Sequence, residues 1–435
     1  MSSILDKKYY FEIFVCYTFN ILIISQMDII EQSKTLLSQK IFPRKEYYIQ
    51  LDKYLESEQI IVVQWQRRSG KSYTIMWYFQ YKNINLEQVF FLNKELDIEW
   101  NISDANKLNK LFIDYQNEKC DPKFIVIDEI QDIKNWENFI RAKFTEKKYK
   151  IIISWSNSKL LSWDLSTYLS GRYITFQIYP FSYAEYLDYI NEQNTPQNML
   201  SYLQRWWMPE IVGIQDKNIK YQHLQDILDS TILKDIISRF SIRDINYFNK
   251  IMRYIADNIW TPLSLRNIQN SSKNYWWWSA SIEKISSYLD FLQIPYLIHS
   301  IWNYDIKWKK ILERNEKYYF NDLWIRNTLK FLFDDDKWKL LENLVFLHLK
   351  RIWYQIFVWN FWDLEIDFVC KKADSILYIQ VSYNISEEKT KEREFWNLLK
   401  IKDAYPKYVI SADPLATDYK WVKHMYISDF LLNFK

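Results

Sequence analysis

Short, continuous apolar runs recur through the first half of the chain. Gln59-Ile60-Ile61-Val62-Val63 is β-branched and unbroken, which predicts a buried strand. Val89-Phe90-Phe91-Leu92, Phe124-Ile125-Val126-Ile127, Lys150-Ile151-Ile152-Ile153-Ser154 and Thr175-Phe176-Gln177-Ile178 repeat the pattern. After the first run the period changes, and Ile75, Met76 and Phe79 fall on one helical face. Together these elements predict an α/β fold built on a parallel sheet.

Beyond residue 222 or so the pattern turns helical. Tyr247 to Ile259, Leu263 to Ile268 and Ile282 to Leu292 are candidate helices, the last with Ile282, Ile285, Leu289 and Leu292 on one face. A hairpin-like stretch through Lys317-Tyr318-Tyr319-Phe320 follows, so helices and hairpin together suggest a winged helix. Its third helix is the one such a domain lays on DNA, yet Lys284 is its only base, which favours packing or protein contact. Near the end, Leu341 to Phe346 reads as helix. Glu365 to Val369 and Tyr378 to Ser382 read as strands of one hairpin.

Composition changes this picture at one point. The chain of 435 residues has 3 glycines and 21 tryptophans, where average usage predicts about 30 glycines. Turns and helix ends need φ > 0, so so few glycines is abnormal. The two counts sum to 24, and tryptophans cluster in turn-like settings, at Trp206-Trp207 before Met-Pro-Glu and at Trp276-Trp277-Trp278 in a polar loop. Some bacterial lineages decode UGA as glycine where other tables read tryptophan, so most of these positions are read as glycine. A truly Trp-rich protein is the alternative.

Net charge is +3, which points to neither nucleic acid nor membrane as an overall partner. Cys16, Cys120 and Cys370 fit neither a zinc spacing nor a disulfide framework, so a reducing cytoplasm is expected. The apolar stretch Tyr9 to Ile24 is interrupted by Glu12, Thr18 and Asn20 and is short for a membrane span. Initiation at Met27 is preferred to a signal anchor.

The chemistry-bearing motif is Trp65-Gln66-Arg67-Arg68-Ser69-Gly70-Lys71-Ser72, with Tyr73 next, set between a strand and a helix. This is the setting of a P-loop (Walker A), whose backbone N–H groups wrap phosphates. Lys71 is expected to reach the β- and γ-phosphates of ATP and Ser72 to ligate Mg2+. The pattern G-x-x-x-x-G-K-[ST] fails only at Trp65, and glycine there restores it. The second signal is the apolar strand ending in Asp128-Glu129 (Walker B). There Asp128 is expected to hold the magnesium and Glu129 to polarise the attacking water. In AAA+-type ATPases a polar residue at the end of the fourth strand senses the γ-phosphate, a role open to Asn157 or Ser156, with an ordinary polar turn as the alternative. Arg172 is either a finger to a neighbouring subunit's nucleotide or a structural ion pair.

From about Arg44 to its end the chain resembles bacterial and archaeal AAA-type ATPases with a restriction-endonuclease-like C-terminal domain of unknown function. The residues that carry this are the P-loop, Asp128-Glu129-Ile130-Gln131 with Trp136-Glu137, and Ser154-Trp155-Ser156-Asn157-Ser158. Further along they are Leu169-Ser170-Gly171-Arg172, Tyr179-Pro180-Phe181-Ser182-Tyr183-Ala184-Glu185-Tyr186, Trp206-Trp207-Met208-Pro209-Glu210 and Phe320-Asn321-Asp322-Leu323-Trp324-Ile325-Arg326-Asn327. Trp65, Trp155, Trp206, Trp207 and Trp324 stand at family glycines; Trp136 does not.

The resemblance implies a P-loop NTPase (AAA+-like) core at 37–200 after an extension at 1–36, a helical winged-helix region at 201–330 and an α/β nuclease-like domain at 331–435. In the nuclease pattern an acid, then [DE]-x-Lys on the next strand, bind metal. Here Asp367 fills the first place, Gln380 replaces a carboxylate and Ser382 replaces the lysine. This favours a vestigial site that has lost metal-assisted hydrolysis, with Glu342, Glu365 and Asp367 left as candidate ligands. The expected molecule is an ATP-driven switch or remodeller, with a DNA or protein client, a homo-oligomeric state and no membrane. An ATP-dependent DNA-cutting enzyme and a nucleotide-gated scaffold are the competing classes.

Overall fold

A computed structural model of the chain describes residues 42–64, 69–94, 101–155, 166–204, 216–259, 261–276, 281–305, 310–330, 337–361, 364–385 and 388–435, with isolated positions besides. Packing divides it into two compact units, the first closing at Ile178 and the second running from Tyr179.

The first unit is a parallel sheet of β1 (Ile60–Gln64), β2 (Val89–Asn93), β3 (Phe124–Asp128), β4 (Lys150–Trp155) and β5 (Tyr173–Gln177), in the order β2-β3-β4-β1-β5. β1 and β2 are buried along their whole length, which is why they read as unbroken apolar runs rather than alternating ones. Helices α1 (Lys45–Glu56), α2 (Lys71–Tyr81), α3 (Ala105–Glu118) and α4 (Trp136–Thr145) belong to the same unit. Asp104 starts α3 by accepting the N–H groups of Asn106 and Lys107. Arg44, at the start of α1, lays its guanidinium over the ring of Tyr47 at 4.4 Å. Because the strand order is not sequential, β4 lies between the strand that enters the P-loop and the strand that ends in the acid pair.

The second unit contains α5 (Tyr183–Ile190), α6 (Pro196–Gln204), α7 (Lys217–Thr231), α8 (Ile245–Asp257), α9 (Leu265–Trp276), α10 (Ile282–Gln293), α11 (Leu323–Lys330), α12 (Lys337–Arg351), α13 (Glu388–Leu399) and α14 (Ile427–Asn433). Its strands β6 (Ile298–Asp305), β7 (Lys310–Phe320), β8 (Gln355–Phe361), β9 (Leu364–Lys372), β10 (Ser375–Ser382), β11 (Lys407–Ser411) and β12 (Lys423–Tyr426) form a single mixed sheet, β12-β11-β10-β9-β8-β6-β7. The hairpin expected after the helices is β6–β7, and it joins the same sheet as the last strands through a parallel pairing of β6 with β8. Glu365 to Val369 and Tyr378 to Ser382 are antiparallel neighbours on β9 and β10. The motif at Tyr179 to Tyr186 is structural. Ser182 and Glu185 form a reciprocal cap for α5, Arg351 donates to the Pro180 carbonyl at 2.7 Å, and Tyr202 donates to the Phe181 carbonyl at 2.8 Å. No helix among the described residues is long and apolar enough to cross a membrane.

Candidate functional site

The site is built at the C-terminal ends of β1, β3 and β4. Trp65 to Arg68 lie outside the described residues, so the structural account of the loop begins at its end. Gly70 stands at the N-cap of α2 in the left-handed region (φ 87°), a conformation that costs a residue with a Cβ about 1–2 kcal/mol. A glycine cap has no side chain to hold the helix start, so the positive end of α2 is left for an anion. Lys71, Ser72 and Tyr73 form the first turn, with Lys71 buried.

Asp128 is the last residue of β3 and is almost wholly buried. Two hydroxyls donate to it, Ser72 to Oδ2 and Ser154 to Oδ1. Ser154 reaches it because Ile153 of β4 pairs with Ile127 of β3, and the next step along both strands sets Ser154 beside Asp128. The Ser154 hydroxyl also accepts the backbone N–H of Glu129 at 3.1 Å. Glu129 sits in the left-handed region (φ 53°), uncommon for a glutamate, and its Oε1 is 3.9 Å from the Lys71 ammonium. Its other oxygen accepts from the Gln131 amide at 2.5 Å. Burial, reinforced by the Glu129 charge, pushes the Asp128 carboxyl up, while the two hydroxyls and Lys71 oppose the shift.

Lys71, Ser72, Asp128 and Glu129 are thus brought together as expected. Ser154 was not singled out by sequence reasoning, although a serine ending an isoleucine run beside an acidic strand is a usable signal. Asn157 and Ser156 lie outside the described residues. Arg172 is exposed, directly before β5, at the opposite end of the strands from the P-loop. The turn before it uses Ser170 (φ 48°) and Gly171 (φ 74°); a Cβ on Gly171 would touch nothing, so backbone conformation alone favours glycine there.

A hydroxyl and a carboxylate side by side are hard oxygen donors of the kind Mg2+ takes, so Ser72 and Asp128 fit that ion.

In the second unit the expected nuclease acids also converge. Glu342 on α12, Glu365 and Asp367 on β9 surround the Lys317 ammonium of β7, at 3.3, 2.7 and 3.7 Å. Gln380 accepts the Asp367 N–H at 3.3 Å, and Asp367 accepts the Val381 N–H at 2.8 Å. Burial, and after it the charge of Glu342, pushes the Asp367 carboxyl well above the usual range. Burial would lower the Lys317 ammonium, but Glu342, Asp367 and Glu365 outweigh it and raise it. Lys317 was noted only as part of a hairpin; a lysine directly before the aromatic run Tyr318-Tyr319-Phe320 was the signal. On α10, Lys284 is tied to Asp244 at 3.2 Å and lies over the rings of Tyr247 and Tyr288.

Several tryptophans fit poorly. Trp155 and Trp324 bury an indole N–H that has no partner among the described residues, each at a cost of about 1–3 kcal/mol. Trp353 holds φ 72° just past α12, where the Tyr354 N–H returns to the Leu349 carbonyl and the Trp353 N–H to the Lys350 carbonyl. This is a helix C-cap that favours glycine. Elsewhere Asn83, Asn101, Asn135 and Asn191 take the positive φ.

Comparison with known proteins places these features in context. A family model described as an AAA domain matches residues 57–187, and one described as a domain of unknown function (DUF8612) matches 197–336. An uncharacterized protein of Haemophilus influenzae is 32% identical over 407 residues, covering 91% of this chain and 100% of the relative. The uncharacterized protein MJ1544 of Methanocaldococcus jannaschii is 30% identical over 416 residues, covering 91% and 86%. Among solved structures, the Walker-type ATPase PABY2304 of Pyrococcus abyssi aligns with 67% of this chain and 96% of its own, at 16% identity and a TM-score of 0.47. The ORC1 protein of Aeropyrum pernix in complex with DNA aligns with 68% and 95%, at 9% identity and 0.32.

Proposed function

The chain belongs to one family with these Haemophilus influenzae and Methanocaldococcus jannaschii proteins and carries an AAA-type P-loop ATPase domain; on that premise we propose that it is a nucleotide-driven switch or remodeller. The observation that carries the reading is the contact of Ser72 with the buried Asp128, with Glu129 held beside Lys71. In this reading residues 65–73 hold the phosphates of ATP, and Lys71 leaves Glu129 for the β- and γ-phosphates. Ser72 and Asp128 would hold Mg2+, which when bound neutralises phosphate charge. Glu129, released from Lys71, orients the attacking water, while Ser154 keeps the acid pair in place. Asn157 or Ser156 would take the sensor role. Arg172 acts only on a neighbouring subunit's nucleotide, since it lies away from its own P-loop.

The reading includes glycine at position 65 and at most of the other tryptophans, supported by the backbone of Trp353 and the buried indoles of Trp155 and Trp324. In protein carrying glycine at 65, Glu129→Gln should abolish ATP turnover and keep MgATP binding, and Lys71→Ala should lose binding. Unchanged turnover in Glu129→Gln would favour the scaffold reading or another base.

The last domain is read as nuclease-like without nuclease chemistry. One helix, three antiparallel strands, a second helix and a strand parallel to the third (α12-β8-β9-β10-α13-β11) support that reading. The helices α8 to α10 with β6–β7 are read as a winged helix used for packing, supported by the pairing of Lys284 with Asp244.

A further inference from the structure

The nuclease-like reading implies a divalent metal among Glu342, Glu365 and Asp367, and the residues present do not fit one. The carboxylates converge instead on Lys317, whose side chain is buried and whose ammonium lies 2.7 to 3.7 Å from an oxygen of each. An ammonium donates three hydrogen bonds and has no acceptor; here it is within hydrogen-bond reach of Glu342 and Glu365 and is paired with Asp367 by charge, at 3.7 Å. Mg2+, Mn2+ or Ca2+ needs the same oxygens at about 2.0–2.6 Å. A metal ion taking the oxygens that now face Lys317 would first have to displace its ammonium, leaving a buried cation without those partners. Among the described residues, no group of three or more His, Cys, Asp or Glu is disposed to hold a metal ion.

The lysine is also fixed from its own strand. Tyr319 lies two residues along β7, on the same face, and donates its hydroxyl to Glu342 Oε1 at 2.5 Å. The next residue, Phe320, exchanges both backbone groups with the Asn343 amide at 2.8 Å. β7 is therefore pinned to α12 directly after the charge cluster. Lys317 lies within the segment matched by the model of unknown function, 197–336, whereas Glu342, Glu365 and Asp367 follow it.

We propose that Lys317 is a built-in counter-ion standing in the place of a divalent cation, and that its ammonium, carried in on β7, is the plug that keeps metal from the acidic centre. The inference rests on the nuclease-like reading of the last domain and is independent of the ATPase reading. It also accounts for Ser382, which stands where a nuclease lysine is expected. The cationic side chain is present in this chain, supplied from a different strand and directed at the acids.

The test is a Mn2+ titration of full-length, nucleotide-free protein, with free Mn2+ read by electron paramagnetic resonance. Wild type and Asp367→Asn should take up Mn2+ identically. Lys317→Met should gain a site at least ~10-fold tighter than any in wild type, lost again in Lys317→Met/Asp367→Asn. It should also melt at higher temperature when Mn2+ is added. Mn2+ uptake by wild type that depends on Asp367 overturns the plug. If that protein also cuts DNA, Lys317 is a catalytic lysine and the inactive-nuclease reading falls too. A folded Lys317→Met that gains no site overturns both the plug and the identification of these acids as a metal centre. If Lys317→Met does not fold, Lys317→Gln, which keeps a polar donor but no charge, is read by the same outcomes.

Discussion

Replacing Ser154 with alanine isolates what β4 contributes to the ATPase site. The hydroxyl has two partners, the Asp128 carboxylate and the Glu129 N–H. Losing a hydrogen bond to a charged group costs about 1.5–3 kcal/mol, and leaving a buried N–H unpaired costs about 1–3 kcal/mol more. The carboxylate can relieve part of this by taking up a proton, because burial already pushes Asp128 in that direction. A net loss of about 2 kcal/mol follows, or about 4–8 °C in melting temperature for a domain of this size. Catalysis should suffer separately. With its backbone anchor gone, Glu129 is free to leave its strained left-handed conformation (φ 53°). A misplacement worth about 1.4–2.8 kcal/mol in the transition state lowers kcat about 10- to 100-fold, with little change in KM because the P-loop is untouched. Phosphate release and thermal melting, in the background with glycine at 65, measure the two effects. Ser154→Thr keeps the hydroxyl and should restore both. Wild-type melting and turnover in Ser154→Ala would refute the reasoning, and a destabilised variant with unchanged kcat would reduce Ser154 to a structural role.

Protein with Trp65→Gly should bind MgATP more tightly than protein with Trp65, as measured by calorimetry; equal affinity refutes the account of that position. At position 353, glycine should be more stable than alanine by about 1 kcal/mol, since only glycine relieves the left-handed strain at φ 72°; equal melting temperatures refute it. Stability should show a pH optimum set by the second unit. Burial lowers His299 to about 3 and His348 to about 4, so stability falls as pH drops below 6.5, where the unfolded chain takes up protons that the folded one refuses. Burial raises Asp322 to about 8, so its contribution is full below its ordinary value of 3.8 and is lost as pH rises toward 8. Between pH 6.5 and 8 the Asp322 slope is about 1.4 kcal/mol per unit. Asp322→Asn should flatten that alkaline limb in urea melts and steepen the acid limb, where the Asp322 slope opposes that of the histidines; an unchanged alkaline limb assigns it elsewhere.

The strands of the first unit were legible because a buried parallel strand writes itself as an unbroken apolar run. Asp128 and Glu129 were legible because two acids ending such a run are costly without a task. The P-loop was legible at Gly70, Lys71 and Ser72, where chemistry and left-handed backbone restrict the choice of residue. The glycine deficit was visible in counts, yet the need at Trp353 appeared only with its φ angle. Local pattern does not carry the order β2-β3-β4-β1-β5, and that order is what sets Ser154 against Asp128. The same limit applies to the acids of the last domain. Sequence located Glu342, Glu365 and Asp367 and offered them to a metal rather than to a lysine, because Lys317 enters from a strand well apart from them along the chain. Short-range periodicity records which face of an element is buried. Which charge meets which across a sheet is decided by strand order and by the cost of burying an unpaired ion, and only the tertiary structure shows that.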